Sequence, residues 1–574
     1  MSKYFFCWWT AFFIICGVLF VSCSPAPDSE NEHHQNQPPA DDQTDDDTAG
    51  NDDVTDDDDD HAADSDWYRK VVFMEILTRS FQDSDGDGIG DLPGLTSRLA
   101  YLADLGIGGI WLTPIYPTPF VDSGYDVADY ENINPDYGTL DDFLTFLDEA
   151  HARGLRVFMD GVFNHTSDRH PWFQESRSGR DNPKRDWYLW ADEPLFDCVD
   201  PFAPNFGQNR WTFDEATGQY YYHHFNSRMP DLNYFNPEVG EAVKNVVRFW
   251  LDLGVDGFRL DVAHLYYEDE NYCAHHPLTH RFLKELRDVV DEYSGRALIG
   301  EIAGTPKQDV AYFGNGSDEL HMIFNFDLAY TMLGSIILHW PRPTDFIMDL
   351  MYGHFPAGGQ QALTISNHDF FRYYGMLGQN VPLCKMASTI QMTLPGTPFV
   401  YYGEEIGMVN GTEIIIDYRD VARTPMQWDA TANAGFTTGQ SWIAMARNWP
   451  TNNVETESAD PQSLLNHYRR LIKIHNETPA LHLGGFTAIP SGSPRVYAFF
   501  RSGSDASVLV AINFSKKPES VAFDLSAGPW QDQVGDVSDL YAGTAYPDLD
   551  GETISDYPLD LPGYGFVLLA LNAE

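Results

Sequence analysis

Gly254-Val-Asp-Gly-Phe-Arg-Leu-Asp-Val-Ala-His264 is a short apolar run that ends in charge. Val255, Phe258, Leu260 and Val262 suit a buried strand, and an amphipathic segment, Pro237 to Leu253, precedes them. Side chains two apart on a strand share a face, so Arg259 and Asp261 point the same way. A buried carboxylate beside a fixed guanidinium is expected to stay ionised at neutral pH, because the opposite charge lowers its pKa. An ionised, positioned carboxylate at a strand end is what a covalent nucleophile requires. A structural Arg–Asp pair capping the strand is the competing reading of this segment taken alone.

Outward from this segment, strands and helices alternate. Val71 to Leu77, Ile107 to Thr113 and Leu155 to Asp160 read as strands, with helical periodicity over Leu95 to Leu105 and Leu140 to Arg153. On the other side, a helix over Leu278 to Tyr293 leads to a strand over Ala297 to Ile302. Met322 to Phe326, Ala362 to Ser366 and Pro398 to Tyr402 follow as strands, and Gln462 to His475 as a last helix. Eight strands, each followed by a helix, predict an α/β fold of the (β/α)8 TIM barrel type. No glycine-rich dinucleotide fingerprint follows any of them. Residues 166–235 break the rhythm: they are rich in Trp, Tyr, Pro, Asn and Gly and too long for an ordinary βα loop. From residue 483 short alternating runs (Val496 to Phe500, Val508 to Asn513, Ser520 to Leu525, Gly565 to Leu571) predict a C-terminal antiparallel β-sandwich. The expected body is therefore a barrel over 67–165 and 236–482, an insertion over 166–235 after the third strand, and a sandwich over 483–574.

The chain has 574 residues and a formal net charge of −51, which argues against nucleic acid or anionic lipid as partners. Part of that charge is local: residues 24–66 hold 17 acidic side chains and no Lys or Arg, the pattern of a self-repelling tether. Residues 1–22 read as an export signal, with Lys3 ahead of an apolar run shorter than a spanning helix. Phe20-Val-Ser-Cys23 resembles a bacterial lipoprotein cleavage site, so Cys23 is the expected lipid attachment point and 23–66 a lipid-anchored linker. An uncleaved N-terminal anchor is the alternative. Ser24 after the Cys favours the outer membrane or cell surface. Of the remaining cysteines, Cys198, Cys273 and Cys384, one disulfide in an oxidising compartment, with Cys198–Cys273 the candidate pair, and free buried thiols are equally open readings.

Asp83-Ser-Asp-Gly-Asp-Gly-Ile-Gly-Asp91 places carboxylates at alternate positions around a glycine turn. Asp83, Asp85, Asp87, Asp91 and the Ile89 carbonyl match the spacing of a hard-cation loop, with Ca2+ the expected ion and a solvated acidic turn the alternative. Gly94 stands where an EF-hand carries its bidentate Glu, so this is no EF-hand. Asp261, Glu301 and Asp369 all stand just past predicted barrel strands, the end at which barrel enzymes build their sites. One charged and one protonated carboxyl flanking a bond is the requirement for glycoside hydrolysis. Glu301 ends a strongly apolar strand, where desolvation raises a carboxyl's pKa toward an acid's role.

These motifs make the body from Trp67 onward similar to the α-amylase superfamily, glycoside hydrolase family 13. The resemblance rests on Asp160-Gly-Val-Phe-Asn-His165, Gly257-Phe-Arg-Leu-Asp-Val-Ala-His264, Gly300-Glu301 and Ser366-Asn-His-Asp369. It implies Asp261 as nucleophile, Glu301 as general acid/base and Asp369 as transition-state stabiliser. Tyr125, His165, Arg259 and His368 would line the subsite for the non-reducing sugar. Met229-Pro-Asp-Leu-Asn233 resembles the neopullulanase-like branch, and Arg423-Thr-Pro-Met-Gln-Trp428 the oligo-1,6-glucosidase branch. That mixture implies α-amylase-type cleavage of α-1,4 bonds in malto-oligosaccharides or starch, and the chain is expected to be a monomer. Oligo-1,6-glucosidase, α-glucosidase or neopullulanase activity, then trehalose synthesis, then non-catalytic glucan binding are the alternatives. In exo-acting relatives an acid and an arginine at the places of Asp122 and Arg419 pair across the pocket floor. Asn164 is a calcium ligand in many α-amylases, which leaves a second calcium site open here.

Overall fold

Eight short strands of almost wholly buried residues form the centre of the molecule: β1 (Phe73–Ile76), β2 (Gly109–Leu112), β3 (Arg156–Gly161), β4 (Gly257–Leu260), β5 (Ala297–Gly300), β6 (Met322–Phe324), β7 (Gln360–Leu363) and β8 (Thr397–Tyr401). In this computed structural model, which describes residues 65–198, 209–503, 506–531 and 533–573, they pair in parallel and close into a barrel, β1 meeting both β2 and β8. The signal segment, Cys23 and the acidic stretch up to residue 64 lie outside the described residues. Several strands are shorter than their apolar runs, β1 and β2 at both ends. The helical pattern of Leu95 to Leu105 resolves into two helices, Leu92–Ser97 and Leu99–Leu105.

The interior changes character along the strands. At the lower end Phe73, Phe158 and Phe399 pack together, with Phe73 and Phe399 stacked at 4.5 Å, and Trp67 closes the bottom. Gly257 is required opposite them, since a Cβ there would stand 2.1 Å from the Ala297 carbonyl oxygen and 2.5 Å from the Phe158 ring. One pleat higher, the same inward faces carry Glu75, Asp160 and Arg259, with Asp160 and Arg259 paired in register. An apolar floor therefore holds a charged layer at the carboxyl ends.

The helix Pro237–Asp252 leads into β4. Asn236 caps its first turn, Gly254 leaves its far end at φ +102°, and its buried Trp250 donates to the Tyr130 carbonyl at 2.8 Å. Within 166–235 lies a three-stranded antiparallel sheet of Trp190–Ala191, Gln219–Tyr222 and Trp211–Asp214. A disulfide joins Cys198 to Cys273, and Cys384 is a buried free thiol. The C-terminal region packs a six-stranded antiparallel sheet against a two-stranded one, around Phe500, Leu509, Phe523, Trp530 and Leu569. Four of these strands (Gly485–Ala488, Gly535–Asp539, Ala545–Leu549 and Tyr557–Leu561) were not expected from sequence. Their acids, glycines and prolines read as turns, as the composition of edge strands often does.

Candidate active site

Arg259 organises the site. It rises from β4 fully buried among three carboxylates: Nη1 donates to Asp160 at 2.8 Å and to Asp261 at 2.6 Å, and Nη2 to Glu301 at 2.6 Å. Asp261 and Glu301 thus face each other across one guanidinium. The turn after Asp261 is strained: Val262 sits at φ +36°, which costs a β-branched residue of order 1–3 kcal/mol. In that conformation its amide donates to the same Glu301 oxygen, Oε2, at 3.1 Å. Glu301 Oε1 is left to face the cleft.

The charge states correct one expectation. Asp261 is pushed up to about 7, by burial first, with Arg259 opposing and Asp160 adding to the rise. Arg259 does not hold it low, because one guanidinium is shared by three carboxylates. Glu301 is likewise raised to about 7, chiefly by burial. Asp369 behaves differently. Burial pushes its carboxyl up, but His368, Arg419 and Arg423 together hold it well below the usual range. Arg419 Nη1 and Arg423 Nη2 reach Asp369 Oδ1 at 3.1 and 3.0 Å.

A second layer fixes these groups. The Tyr125 hydroxyl donates to Asp160 at 2.9 Å and contacts His368 Nε2 at 2.8 Å, while the Tyr125 and His368 rings stack. Buried Glu75 accepts from the His368 amide at 3.1 Å and faces its Nδ1 at 2.6 Å. His165 Nε2 meets the Tyr125 carbonyl at 3.2 Å. Arg419, almost fully buried, contacts Asp122, Asp417 and Asp369 at once. All nine residues expected at the site (Tyr125, His165, Arg259, Asp261, Glu301, His368, Asp369, Asp122 and Arg419) thus lie in one connected network. Sequence reasoning gave no role to Glu75, Asp160, Asp417 or Arg423. Asp160 and Arg423 each open a motif already singled out, and Glu75 is the lone acid in an apolar strand.

Among the described residues, two clusters could hold a metal. Asp83, Asp85 and Asp91 each offer an oxygen within 4.8 Å of the others. Asp87, in the same loop, is exposed, and its Oδ1 accepts the Ile89 amide at 2.7 Å, as Asp83 and Asp85 accept the amides of Asp85, Gly86 and Asp87. The other cluster, His224, Asp231 and Glu268, is fully buried between the insertion and the segment after β4. Asn164 donates to Asp231 at 3.2 Å, and burial, then Glu268, raises Asp231 to about 7. Asp231 belongs to the Met229–Asn233 motif, which was the available signal.

Comparison with known proteins agrees with this geometry. Residues 75–484 match the alpha amylase catalytic domain, and residues 486–568 the maltogenic amylase C-terminal domain. Trehalose synthase/amylase TreS of Mycolicibacterium smegmatis is 36% identical over 563 residues, covering 89% of this chain and 93% of its own. The oligo-1,6-glucosidase of Parageobacillus thermoglucosidasius is 35% identical over 511 residues, 79% of this chain and 91% of its own. The structure of the isomaltulose synthase SmuA from Protaminobacter rubrum superposes with a TM-score of 0.76 at 31% identity, covering 88% of this chain and 99% of that one. With its barrel matched throughout and its relatives aligned over most of both chains, this chain belongs to glycoside hydrolase family 13, the α-amylase family, and is an enzyme acting on glycosyl bonds.

Proposed function

We propose that the chain is an exo-acting, retaining α-glucosidase of short α-glucosides. The observation that carries this reading is Arg419, held on Asp122, Asp417 and Asp369 beside the Tyr125–His368 pair. A buried ionic floor at the non-reducing end is the feature that would close the cleft beyond one terminal sugar. The oligo-1,6-glucosidase and trehalose synthase relatives support this reading over α-amylase-type cleavage of long α-1,4 chains.

In this mechanism Asp261 attacks the anomeric carbon while Glu301, protonated on the oxygen that Arg259 and Val262 leave open, gives its proton to the departing oxygen. The covalent glycosyl-enzyme is then hydrolysed by water that Glu301, now a base, deprotonates. Asp369, kept ionised by its arginines, accepts hydrogen bonds from sugar hydroxyls. Maltose, isomaltose and maltoheptaose should all release glucose, first as the α-anomer, and starch should react slowly. Initial release of the β-anomer would rule out retention, and trehalose as the main product from maltose would make the enzyme an intramolecular transferase.

Asp83, Asp85, Asp87, Asp91 and the Ile89 carbonyl are proposed to hold one calcium ion that clips the loop after β1. A cation that binds only the folded state stabilises it by mass action, ~2.7 kcal/mol at a hundredfold excess over Kd. Chelation should therefore lower the melting temperature by a few degrees. An Asp85→Ala variant that melts alike with and without calcium would remove the site. Export and lipid attachment at Cys23 are also proposed. The Cys198–Cys273 disulfide suits an oxidising compartment, and Cys23→Ser should abolish incorporation of labelled palmitate.

A further inference from the structure

The segment between β4 and the helix Pro277–Asp291 is tied to the insertion at two points. Glu268 accepts from the Tyr222 hydroxyl at 3.1 Å and faces His224 Nδ1 at 2.8 Å. Five residues on, Cys273 is bonded to Cys198 of the insertion. Two residues after that bridge stands His275, whose backbone is left-handed at φ +55°. That conformation is disfavoured in any residue but Gly and persists only where the surroundings impose it. Here they do so from both sides: the bridge precedes His275, and His276 follows it with Nδ1 accepting the Leu278 amide at 3.0 Å, which starts the helix.

The side chain held in this way lies between the two strand ends that carry the chemistry. On one side the His275 amide donates to the His264 carbonyl at 2.9 Å, and the two rings stack with centroids 5.4 Å apart. His264 is three residues past Asp261. On the other side the ring lies against the backbone of Gly304, three residues past Glu301. A Cβ on Gly304 would stand 2.9 Å from His275 Cε1 and 3.0 Å from Nε2, so the ring fits only because that residue is Gly. The Tyr312 hydroxyl meets His275 Nδ1 at 3.0 Å and fixes the rotation of the ring. Nearer the strands the same two turns share one backbone hydrogen bond, from the Ala263 amide to the Glu301 carbonyl at 3.1 Å. Further out, the imidazole sets their spacing. A misplacement of ~1 Å at reacting groups is enough to cost ~10²-fold in rate. Water let in between the turns would also relieve the burial that raises Glu301.

We propose that His275 is a positioning residue, a wedge that spaces the turns bearing Asp261 and Glu301, and that the Cys198–Cys273 bridge holds it there. The wedge rests on the roles proposed above for those two carboxyls. His275→Gly accepts the same backbone angle and removes the ring, so it isolates the side chain. With maltose as substrate it is expected to lower kcat at least ~10-fold while KM stays within ~3-fold of wild type. The alkaline limb of its kcat profile should move to lower pH by ~0.5 or more, as Glu301 gains water. His275→Asn, which also tolerates the left-handed backbone, should fall between Gly and wild type. The Cys198→Ser/Cys273→Ser double variant should shift both quantities in the same direction. Wild-type turnover in His275→Gly would overturn the wedge. So would a lower kcat with the alkaline limb unmoved in all three variants, which is the mark of a merely structural role. A double variant that matches wild type while His275→Gly does not would overturn the part given to the disulfide. Glu301→Gln separates this failure from that of the mechanism: if it keeps the wild-type alkaline limb, Glu301 is not the acid/base and the wedge falls with it.

Discussion

Asp261→Asn is expected to lower turnover at least ~10³-fold and to leave the fold standing. The amide is nearly isosteric, and it removes one of three carboxylates crowded on Arg259. The sign of the accompanying stability change follows from the pKa shifts. Asp261 and Glu301 are both raised to about 7 in the folded chain, so between ~4 and 7 the native state binds more protons than the unfolded one. Stability therefore falls as pH rises through that window. Asp261→Asn removes one of the two contributions, so near pH 7.5 it should melt no lower than wild type even though it is inactive. The rate should fall on both sides of its optimum, on the acid side as Asp261 gains a proton and on the alkaline side as Glu301 loses one. Glu301→Gln should retain only a small activity that keeps the fall on the acid side and loses the fall on the alkaline side. An Asp261→Asn enzyme working near the wild-type rate would remove that residue from the mechanism.

What sequence could and could not supply is visible at these same residues. Strand periodicity puts Arg259 and Asp261 on one face, and the spacing of eight such strands implies a barrel with its charged ends together. Periodicity fixes a face but not its occupancy. That Arg259 serves Asp160 and Glu301 as well as Asp261 depends on β3, β4 and β5 lying side by side, a long-range fact, and it reverses the expected pKa direction for Asp261. Glu75 shows the converse. Two positions beyond Phe73 it must face inward, yet only barrel closure brings it to His368, 293 residues away in sequence. The left-handed turn at Val262 carries no composition signal at all, because a β-branched residue is the last one expected there. In the Asp83 to Asp91 loop, spacing identified the acids but not the turns they cap, such as that of Asp87 onto the Ile89 amide.

Arg419→Ala should depress cleavage of maltotriose far more than cleavage of soluble starch. Arg419 is buried in contact with Asp122 and Asp417, and it also touches Asp369. Loss of the Asp369 contact should slow every substrate, because the same carboxylate serves each glycosyl transfer. The remaining effect is selective. A charge-assisted hydrogen bond to a sugar hydroxyl is worth roughly 1.5–3 kcal/mol, or about 10–150-fold, and a terminal sugar makes up more of a trisaccharide than of a polymer. Opening the floor also admits chains that the Arg419–Asp122 contact excludes. The ratio of kcat/KM for maltotriose to that for starch should therefore fall at least ~10-fold. Truncating Arg419 leaves three acids close together, and breaking a buried pair in this way destabilises by ~3–5 kcal/mol, so Asp122→Asn is the cleaner companion. Asp122 does not touch Asp369 directly, and its amide variant should lower the ratio while sparing starch turnover. Equal losses on both substrates in both variants would show that the pair supports the fold without setting the length of the cleft.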